Sequence, residues 1–299
     1  MSESIGHGVK MSRARRFICD LLHAGMQVPL VTIQKDMNVA DLIAARKGAD
    51  PRPSWCAIFT KAYGKMVASR PDMRRACLTV PWLRMFEYHA TSADVTIEVN
   101  HEGENCLAFV KVRKPESLPL LEFDRIIAAA WAKPMKLHSF QDALFLARFP
   151  QWLRRFALWF ILNVSGRLRA RYFSTFGVTS VGNWGVESVK PIAPAISILQ
   201  YGAIAPDGKV SIRMTYDHRV LDGSGPSTAL NEMEQFLKTE ILAEVKALPA
   251  VGAGACQSDS AKCVGQESER SSVEGADGVR GKGTKARSSC VTSNAELPS

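Results

Sequence analysis

The sequence predicts an α/β (α+β) protein in which a mixed β-sheet and several helices share one core. Apolar residues recur with helical and with strand spacing in alternation along residues 12–248. Of the 299 residues, 46% are hydrophobic, which is enough for one large core or two smaller ones. The dipeptide Asp207-Gly208 separates two strand patterns and is a strong hairpin signal, so part of the sheet must be antiparallel.

The elements of the first half follow from their apolar spacing and their caps. Ser54 is the expected N-cap of a long helix that Arg70 and Pro71 terminate, and Asn38 is the expected cap of a short one. The predicted helices are 12–24, 39–46, 54–69 and 121–131. The predicted strands are 28–35, 84–88, 95–99 and 107–112.

The second half is predicted to contain strands 174–180, 196–201 and 210–216, followed by a helix over 226–245. The last strand alternates regularly, which is typical of an antiparallel strand with one buried face. Its expected core residues are Val210, Ile212, Met214 and Tyr216.

Composition divides the chain into three parts. Residues 1–11 are polar and are expected to be flexible, and residues 12–248 form the expected catalytic domain. Large apolar residues almost disappear after Leu248. Such a sequence cannot bury enough surface to offset the entropy of ordering, so we expect 249–299 to be a disordered low-complexity tail.

The charge and the cysteines narrow the class of partner. The formal net charge of +9 favours anionic partners. We find no zinc-ligand spacing and no helix-turn-helix signature, so neither a metal nor nucleic acid is an expected partner. The seven cysteines form no C-x-x-C pair, and no secretory signal or apolar run of membrane-spanning length is visible. We expect buried, reduced thiols and a cytoplasmic location.

Residues 217–223, with the sequence DHRVLDG, carry the clearest chemical signal. His218 follows a strand directly, and Gly223 permits the tight turn that holds it. An imidazole with a pKa of about 6.5 is largely unprotonated near neutrality, so it can remove a proton from a thiol. Taken alone, the pattern also fits an ordinary turn histidine whose hydrogen bonds are satisfied.

This segment resembles the D-H-R-x-x-D-G signature of the acyltransferase component of 2-oxoacid dehydrogenase complexes. Three further segments are similar to that family: 15–18 (RRFI), 28–32 (VPLVT) and 176–182 (FGVTSVG). The resemblance extends over about residues 12–248. It implies the chloramphenicol acetyltransferase-like fold, a two-layer sandwich of mixed β-sheet and helices. It also implies acyl transfer with coenzyme A or acyl-CoA as substrate.

The resemblance gives each site residue a role. His218 would deprotonate the thiol, or another nucleophile, of the acyl acceptor. Thr179 stands at the position of a serine that binds the oxyanion, with Ser180 next to it, although both also fit ordinary strand residues. Asp222 would be structural and bonded to an arginine, for which Arg15 or Arg16 is preferred. Arg13 and Arg219 are the other candidates for that partner.

The sequence departs from this family at its start, because no lipoyl domain and no lipoyl lysine fit before Ser12. We therefore expect a stand-alone catalytic domain that either uses a lipoyl domain in trans or has a different thiol, hydroxyl or amine acceptor. The resemblance further implies a homotrimer or larger assembly with active sites between subunits. The alternative is a non-catalytic structural or membrane-associated subunit that keeps the fold.

The second departure is residues 145–171, where aromatic and apolar side chains alternate with six arginines. The pattern predicts a basic amphipathic helix. Such a helix can pack on the protein's own core, cover an acyl pocket or a subunit contact, or lie in a membrane interface as a peripheral contact. A lipid-like or long-chain acyl substrate is a hypothesis that this segment motivates.

Overall fold

A computed structural model of the chain describes residues 5–179 and 189–250. The helices of this part are α1 (Arg13–Gly25), α2 (Ala40–Lys47), α3 (Trp55–Ser69), α4 (Leu120–Ala132), α5 (His138–Leu146), α6 (Gln151–Asn163), α7 (Gly166–Tyr172), α8 (Gly225–Phe236) and α9 (Leu242–Lys246). The strands are β1 (Leu30–Asn38), β2 (Arg75–Leu78), β3 (Arg84–Glu87), β4 (Ser92–His101), β5 (Glu104–Arg113), β6 (Phe176–Thr179), β7 (Ser197–Tyr201) and β8 (Lys209–Asp217).

Six of these strands form one mixed sheet in the order β1-β8-β7-β6-β4-β5, and β2 and β3 form a separate hairpin. Strands β4, β6 and β7 are mutually parallel, whereas the other pairs of the sheet are antiparallel. The hairpin expected at Asp207-Gly208 joins β7 to β8. Gly208 has φ +82°, and a Cβ there would lie 2.9 Å from Ala40, so only glycine fits this turn. The predicted fold class is confirmed.

The core lies between one face of the sheet and a helical layer. The expected alternation of β8 is confirmed, since its even-numbered apolar residues are all buried in this core. Helix α3 lies across the sheet, where Tyr63 meets Phe176 at 4.8 Å between ring centroids. Burial raises the pKa of the Tyr63 phenol, which therefore stays neutral.

The opposite face of the sheet is polar around β1 and β8, because the alternate residues of these strands point there. The hydroxyls of Thr32 and Thr215 lie 2.7 Å apart. Arg213 donates from Nε to the side-chain oxygen of Gln34 at 2.8 Å. This face leads along β8 towards the turn that contains His218.

Polar side chains explain where three helices begin, and two of these caps, Ser54 and Asn38, were predicted. Ser12 accepts from the backbone N–H of Arg15 at 3.1 Å, and Ser54 accepts from that of Ala57 at 3.0 Å. The side chain of Asn38 accepts from the backbone N–H of Ala40 at 2.9 Å, although the geometric N-cap of α2 is the following residue. Short polar side chains thus satisfy the N–H groups that a helix start leaves unpaired.

The single helix predicted over 145–171 is wrong. The structure divides this segment into the end of α5, then α6 and α7. Pro150 has no N–H to donate and is the N-cap of α6. Ser165 caps α7 by accepting from the N–H of Leu168 at 3.3 Å. These local breaks therefore interrupt the continuous helical pattern.

Other differences are smaller. Strand β2 and helix α5 were not predicted, and the last predicted helix is interrupted by a π-helical turn over Leu237–Ile241. Ala250 forms an isolated bridge with Ala49, so the described fold pairs at least to that residue. The remainder of the predicted tail lies outside the described residues. Cys19 is exposed, contrary to expectation, whereas Cys56, Cys77 and Cys106 are buried.

Candidate active site

The candidate site is built on the turn that follows β8. Asp217 is the last residue of this strand, and its carbonyl accepts from the N–H groups of Val220 at 3.0 Å and Leu221 at 3.2 Å. The backbone N–H of His218 donates to the carbonyl of Pro29, just before β1, at 2.9 Å. The histidine backbone is therefore held from its own turn and from the neighbouring strand.

A buried ion pair fixes this turn further. The Asp217 carboxylate is fully buried and accepts from Arg219, whose Nη2 lies 2.7 Å from Oδ2 and whose Nε lies 2.9 Å from Oδ1. The backbone N–H of Arg219 donates to the same carboxylate at 3.0 Å. The hydrogen bond and the charge of Asp217 raise the pKa of the Arg219 guanidinium, which opposes the effect of burial. Such a bidentate pair sets orientation as well as energy.

The His218 ring is held by a hydrogen bond to the backbone of its own turn. Its Nδ1 lies 2.8 Å from the carbonyl oxygen of Leu221, a residue that is itself buried. A carbonyl oxygen can only accept, so Nδ1 carries a proton in this contact, and in the neutral imidazole the lone pair is then on Nε2. The edge of the ring packs against Tyr216 at 5.9 Å between centroids. The histidine is exposed in the single chain, so Nε2 is accessible to an incoming group.

Gly223 and Asp222 complete the turn. Gly223 has φ +59°, a left-handed conformation in which other residues are strained. Asp222 is exposed, and its carbonyl accepts from the N–H of Gly225 at 3.3 Å. Burial, and then the charge of Asp222, raise the pKa of Tyr216. The sequence suggested a buried Asp222 carboxylate, whereas the single chain leaves this residue at the surface.

The arginines expected near Asp222 lie elsewhere in this chain. Arg15 donates from Nε to Glu104 at 2.7 Å, and Arg16 donates to the carbonyl of Met11 at 3.3 Å. Arg13 pairs with Glu102 at 3.3 Å. The reason is the position of α1, whose first turn lies beside β5, four strands away from β8. At about 4.8 Å per strand, this separation is roughly 19 Å.

Thr179 and His218 are not brought together within one chain. Thr179 ends β6 and pairs with Gln200 of β7, which pairs with Arg213 of β8. His218 lies five residues further along from Arg213, which is about 17 Å at a rise of 3.4 Å per residue. Ser180 lies outside the described residues. A reaction centre that uses both His218 and Thr179 therefore needs a second copy of the chain.

Sequence reasoning missed the ion pair between Asp217 and Arg219. The signal was local, because an aspartate side chain can accept from the backbone N–H two residues further on, as Asp217 does from Arg219, which brings the two side chains close together. An acid and a base that flank the histidine could have been expected to pair there. Arg219 was instead considered only as a partner of Asp222.

Three solved structures show what the chain is similar to. The catalytic domain of dihydrolipoamide acetyltransferase from Azotobacter vinelandii, studied for the catalytic roles of a serine, a histidine and an asparagine, matches with TM-score 0.59 and 20% identity, over 80% of this chain and 95% of that one. The cubic core of a pyruvate dehydrogenase multienzyme complex matches with TM-score 0.58 and 19% identity, over 80% and 95%. A truncated catalytic core of the 2-oxoacid dehydrogenase complex from Thermoplasma acidophilum matches with TM-score 0.59 and 16% identity, over 78% and 99%.

No protein-family model and no curated protein matches the sequence. At such low identities the structural matches show the fold alone. The chain covers nearly the whole length of each matched structure. The chain therefore has the fold of the catalytic cores of the 2-oxoacid dehydrogenase acyltransferases.

Proposed function

We propose that this protein is an acyltransferase that moves an acyl group between coenzyme A and a nucleophilic acceptor, with His218 as general base. The observation that carries the proposal is the hydrogen bond from His218 Nδ1 to the Leu221 carbonyl at 2.8 Å. In the neutral imidazole this bond places the lone pair on Nε2 of an exposed residue, at a turn fixed by the Asp217–Arg219 pair. The same turn carries the sequence that resembles the acyltransferase signature.

In the proposed reaction, Nε2 of His218 removes the proton from the acceptor thiol, hydroxyl or amine. The acceptor then forms a bond to the carbonyl carbon of the acyl-CoA thioester, whose carbonyl π-electrons move onto oxygen. Collapse of this tetrahedral intermediate breaks the carbon–sulfur bond, and the histidine returns its proton to the coenzyme A thiolate. A positioned base of this kind contributes about 10²–10⁴ in rate.

The oxyanion of the intermediate needs a hydrogen-bond donor. We propose the Thr179 hydroxyl for this role, in accordance with the resemblance. The strand pairing separates Thr179 from His218 of the same chain, so the donor would come from a neighbouring copy. A homotrimer or a larger assembly with sites between subunits is therefore part of the proposal. Asp222, exposed in one chain, would lie near that subunit boundary.

A thiol-release assay tests the base. Acetyl-CoA and longer acyl-CoAs are offered to dihydrolipoamide, a free lipoyl domain, and hydroxyl and amine acceptors. His218→Ala is expected to reduce the rate by about 10²–10⁴. His138→Ala replaces an exposed histidine at the start of α5 and serves as the matched control. Equal rates for the wild type and His218→Ala would contradict the role of His218 as base and favour the alternative, a non-catalytic subunit.

The shared site is tested in the same assay by mixing subunits. His218→Ala chains keep Thr179, and Thr179→Val chains keep His218, so each variant alone should be nearly inactive. When the two chains mix at random in equal amounts, about a quarter of all sites regain both groups if each site spans two subunits. Recovery of activity on co-expression supports the proposal, whereas no recovery would place both groups in one chain or remove Thr179 from the mechanism.

A further inference from the structure

Helix α6 exposes much of its apolar surface. The residues that it buries are Arg154, Leu158 and Leu162. The residues on its opposite side are aromatic and exposed: Trp152 is 71% accessible, Phe156 55% and Trp159 45%. A helix that packs on its own core and faces water carries its polar residues outside and its apolar residues inside. The outer face of α6 is therefore suited to something other than water.

The orientation of α6 is fixed by a buried ion pair. Arg154 donates from Nε to Asp20 of α1 at 2.6 Å, and both side chains are almost fully buried. Its Nη1 also donates to the carbonyl of Phe149 at 2.9 Å. Rotating the helix to hide its aromatic residues would expose or separate this pair, which is costly for a buried charge. The exposed aromatic residues thus belong to the packed arrangement of the fold.

Six exposed rings lie on α5, on α6 and in the turn between them, and together we name them the aromatic surface: Phe145, Phe149, Trp152, Phe156, Trp159 and Phe160. Phe145 and Phe149 pack edge to face at 5.4 Å, and Phe156 stacks on Trp159 at 5.9 Å. The β2–β3 hairpin extends this surface at the far end of α6. There Arg84 donates to the carbonyl of Val164 at 2.7 Å, and Trp82 is exposed beside it.

The segment that carries the aromatic surface is cationic. Residues 143–186 contain six arginines and no aspartate or glutamate, and the exposed carboxylate of Asp142 directly precedes them on α5. Two of these arginines, Arg154 and Arg169, are buried, whereas Arg148, Arg167 and Arg171 are exposed. A two-fold contact with a second copy would bring two such cationic segments together. The surplus of positive charge is instead complementary to an anionic partner.

We propose that the aromatic surface binds the surface of a lipid bilayer that contains anionic lipids. Tryptophan and phenylalanine side chains enter the boundary between headgroups and acyl chains, while the flanking arginines bind lipid phosphates. The contact is peripheral, since none of the described helices is long and apolar enough to cross a membrane. This inference is independent of the proposed acyl transfer, because it uses neither His218 nor Thr179.

Vesicle flotation of the full chain tests the proposal. Vesicles of phosphatidylcholine alone are compared with vesicles of phosphatidylcholine and phosphatidylglycerol in equal proportion. The wild type is expected to float with the anionic vesicles and to lose binding in high salt. The triple variant Trp152→Ser, Phe156→Ser, Trp159→Ser is expected to bind on the order of 10-fold more weakly or worse. The matched control is Leu107→Ser with Met135→Ser, which removes exposed apolar residues elsewhere.

A second triple variant tests the charge. Arg148→Gln, Arg167→Gln and Arg171→Gln together are expected to weaken binding by about fivefold for each charge removed. Its control, Arg125→Gln with Lys133→Gln and Lys136→Gln, changes the net charge equally at exposed positions of α4 and of the segment after it. Equal losses in the two triple variants would overturn the assignment to this surface. So would flotation of the aromatic triple variant at the wild-type level.

Quenching of tryptophan fluorescence by brominated lipids reports directly whether tryptophan side chains of the wild type lie close to the acyl chains. The wild type is expected to be quenched by anionic brominated vesicles, and Trp152→Phe with Trp159→Phe to lose most of the quenching while it still floats. Absence of both flotation and quenching in the wild type would refute the proposal. A change of oligomeric mass on replacing the aromatic surface, without lipid binding by the wild type, would identify a contact between copies instead.

Discussion

Helices α3 and α6 have similar lengths and similar apolar character, yet they are buried to very different extents. Helix α3 buries eleven of its 15 residues, among them Thr60 and Lys61. Helix α6 buries three of its 13 residues, and one of the three is an arginine. The apolar content of a helix therefore does not determine how much of it is covered. Position decides, because α3 lies between the sheet and other helices, whereas α6 lies at the periphery.

The two helices also differ in how they satisfy buried charge. Lys61 of α3 keeps an ion pair with Glu244 of α9, whose side chain remains partly accessible. Arg154 of α6 pairs with Asp20, which is almost inaccessible. A charge close to solvent costs little to pair, whereas a fully buried pair must compensate a large desolvation penalty. The placement of α6 therefore depends on one specific contact more than that of α3 does.

The largest expected difference in stability is between a variant that removes a phenylalanine from α3 and one that removes a phenylalanine from α6. Phe59 of α3 is fully buried and contacts Tyr201 at 4.8 Å between centroids, so Phe59→Ala should lower the free energy of unfolding by about 3–5 kcal/mol. Phe156→Ala on the exposed face of α6 should change it by no more than about 0.5 kcal/mol. Urea unfolding of both variants measures the difference. A large loss for Phe156→Ala would mean that another part of the protein covers α6.

The second effect concerns the ion pair beneath α6. Arg154→Ala leaves the Asp20 carboxylate buried, which should lower the free energy of unfolding by about 3 kcal/mol. The loss should lie at the low end of that class because Arg155 remains 3.3 Å from Asp20. Adding Asp20→Leu to Arg154→Met should recover most of the stability, since an apolar pair needs no partner. If the double variant is no better than Arg154→Ala, the ion pair is not the reason for the loss.

The smallest expected effect is on the pH dependence of stability. Like Asp20, Asp94 of β4 is a buried carboxyl, and it accepts from the backbone N–H of Ser174 at 3.1 Å. Burial raises the pKa of Asp94 above its ordinary value of 3.8, and nearby Lys111 opposes this only in part. Because the folded pKa is raised, the stability this group contributes is complete below the unfolded pKa and is lost as the pH rises through the folded pKa.

Asp94→Asn removes this titration. Its stability relative to the wild type should therefore improve between about pH 4 and about pH 8. Urea midpoints at both pH values measure this, and Asp41→Asn at an exposed position is the control. An identical pH dependence for the wild type and Asp94→Asn would show that folding does not shift the pKa of Asp94.

Most of the fold was open to prediction from local patterns. Alternation identified the buried face of β8, and short polar residues marked the starts of α1, α2 and α3. Strand β2 was missed because it spans four residues, too few for a period to be visible. The single helix predicted over 145–171 failed because apolar spacing continued across Pro150 and Ser165, where the chain turns.

The candidate site was only partly open to prediction. The turn at 217–223 could be found from its sequence, because a histidine, charged neighbours and a glycine are adjacent there. The ion-pair partner of Arg15 could not be found in this way, since such pairs depend on which surfaces of the protein meet in space. Arg15 was expected at Asp222 but pairs with Glu104 across the sheet. The proton position on His218 likewise required the Leu221 carbonyl to be located.

By itself the sequence determined the mixed α/β fold, the histidine turn and the concentration of aromatic residues and arginines in 145–171. These features depend on residues that are close together in the chain. The tertiary structure alone decided that Arg15 pairs with Glu104, that His218 and Thr179 stand far apart in one chain, and that α6 turns its aromatic face outwards. Such facts depend on contacts between distant segments, whose energies are settled only when the whole chain is packed.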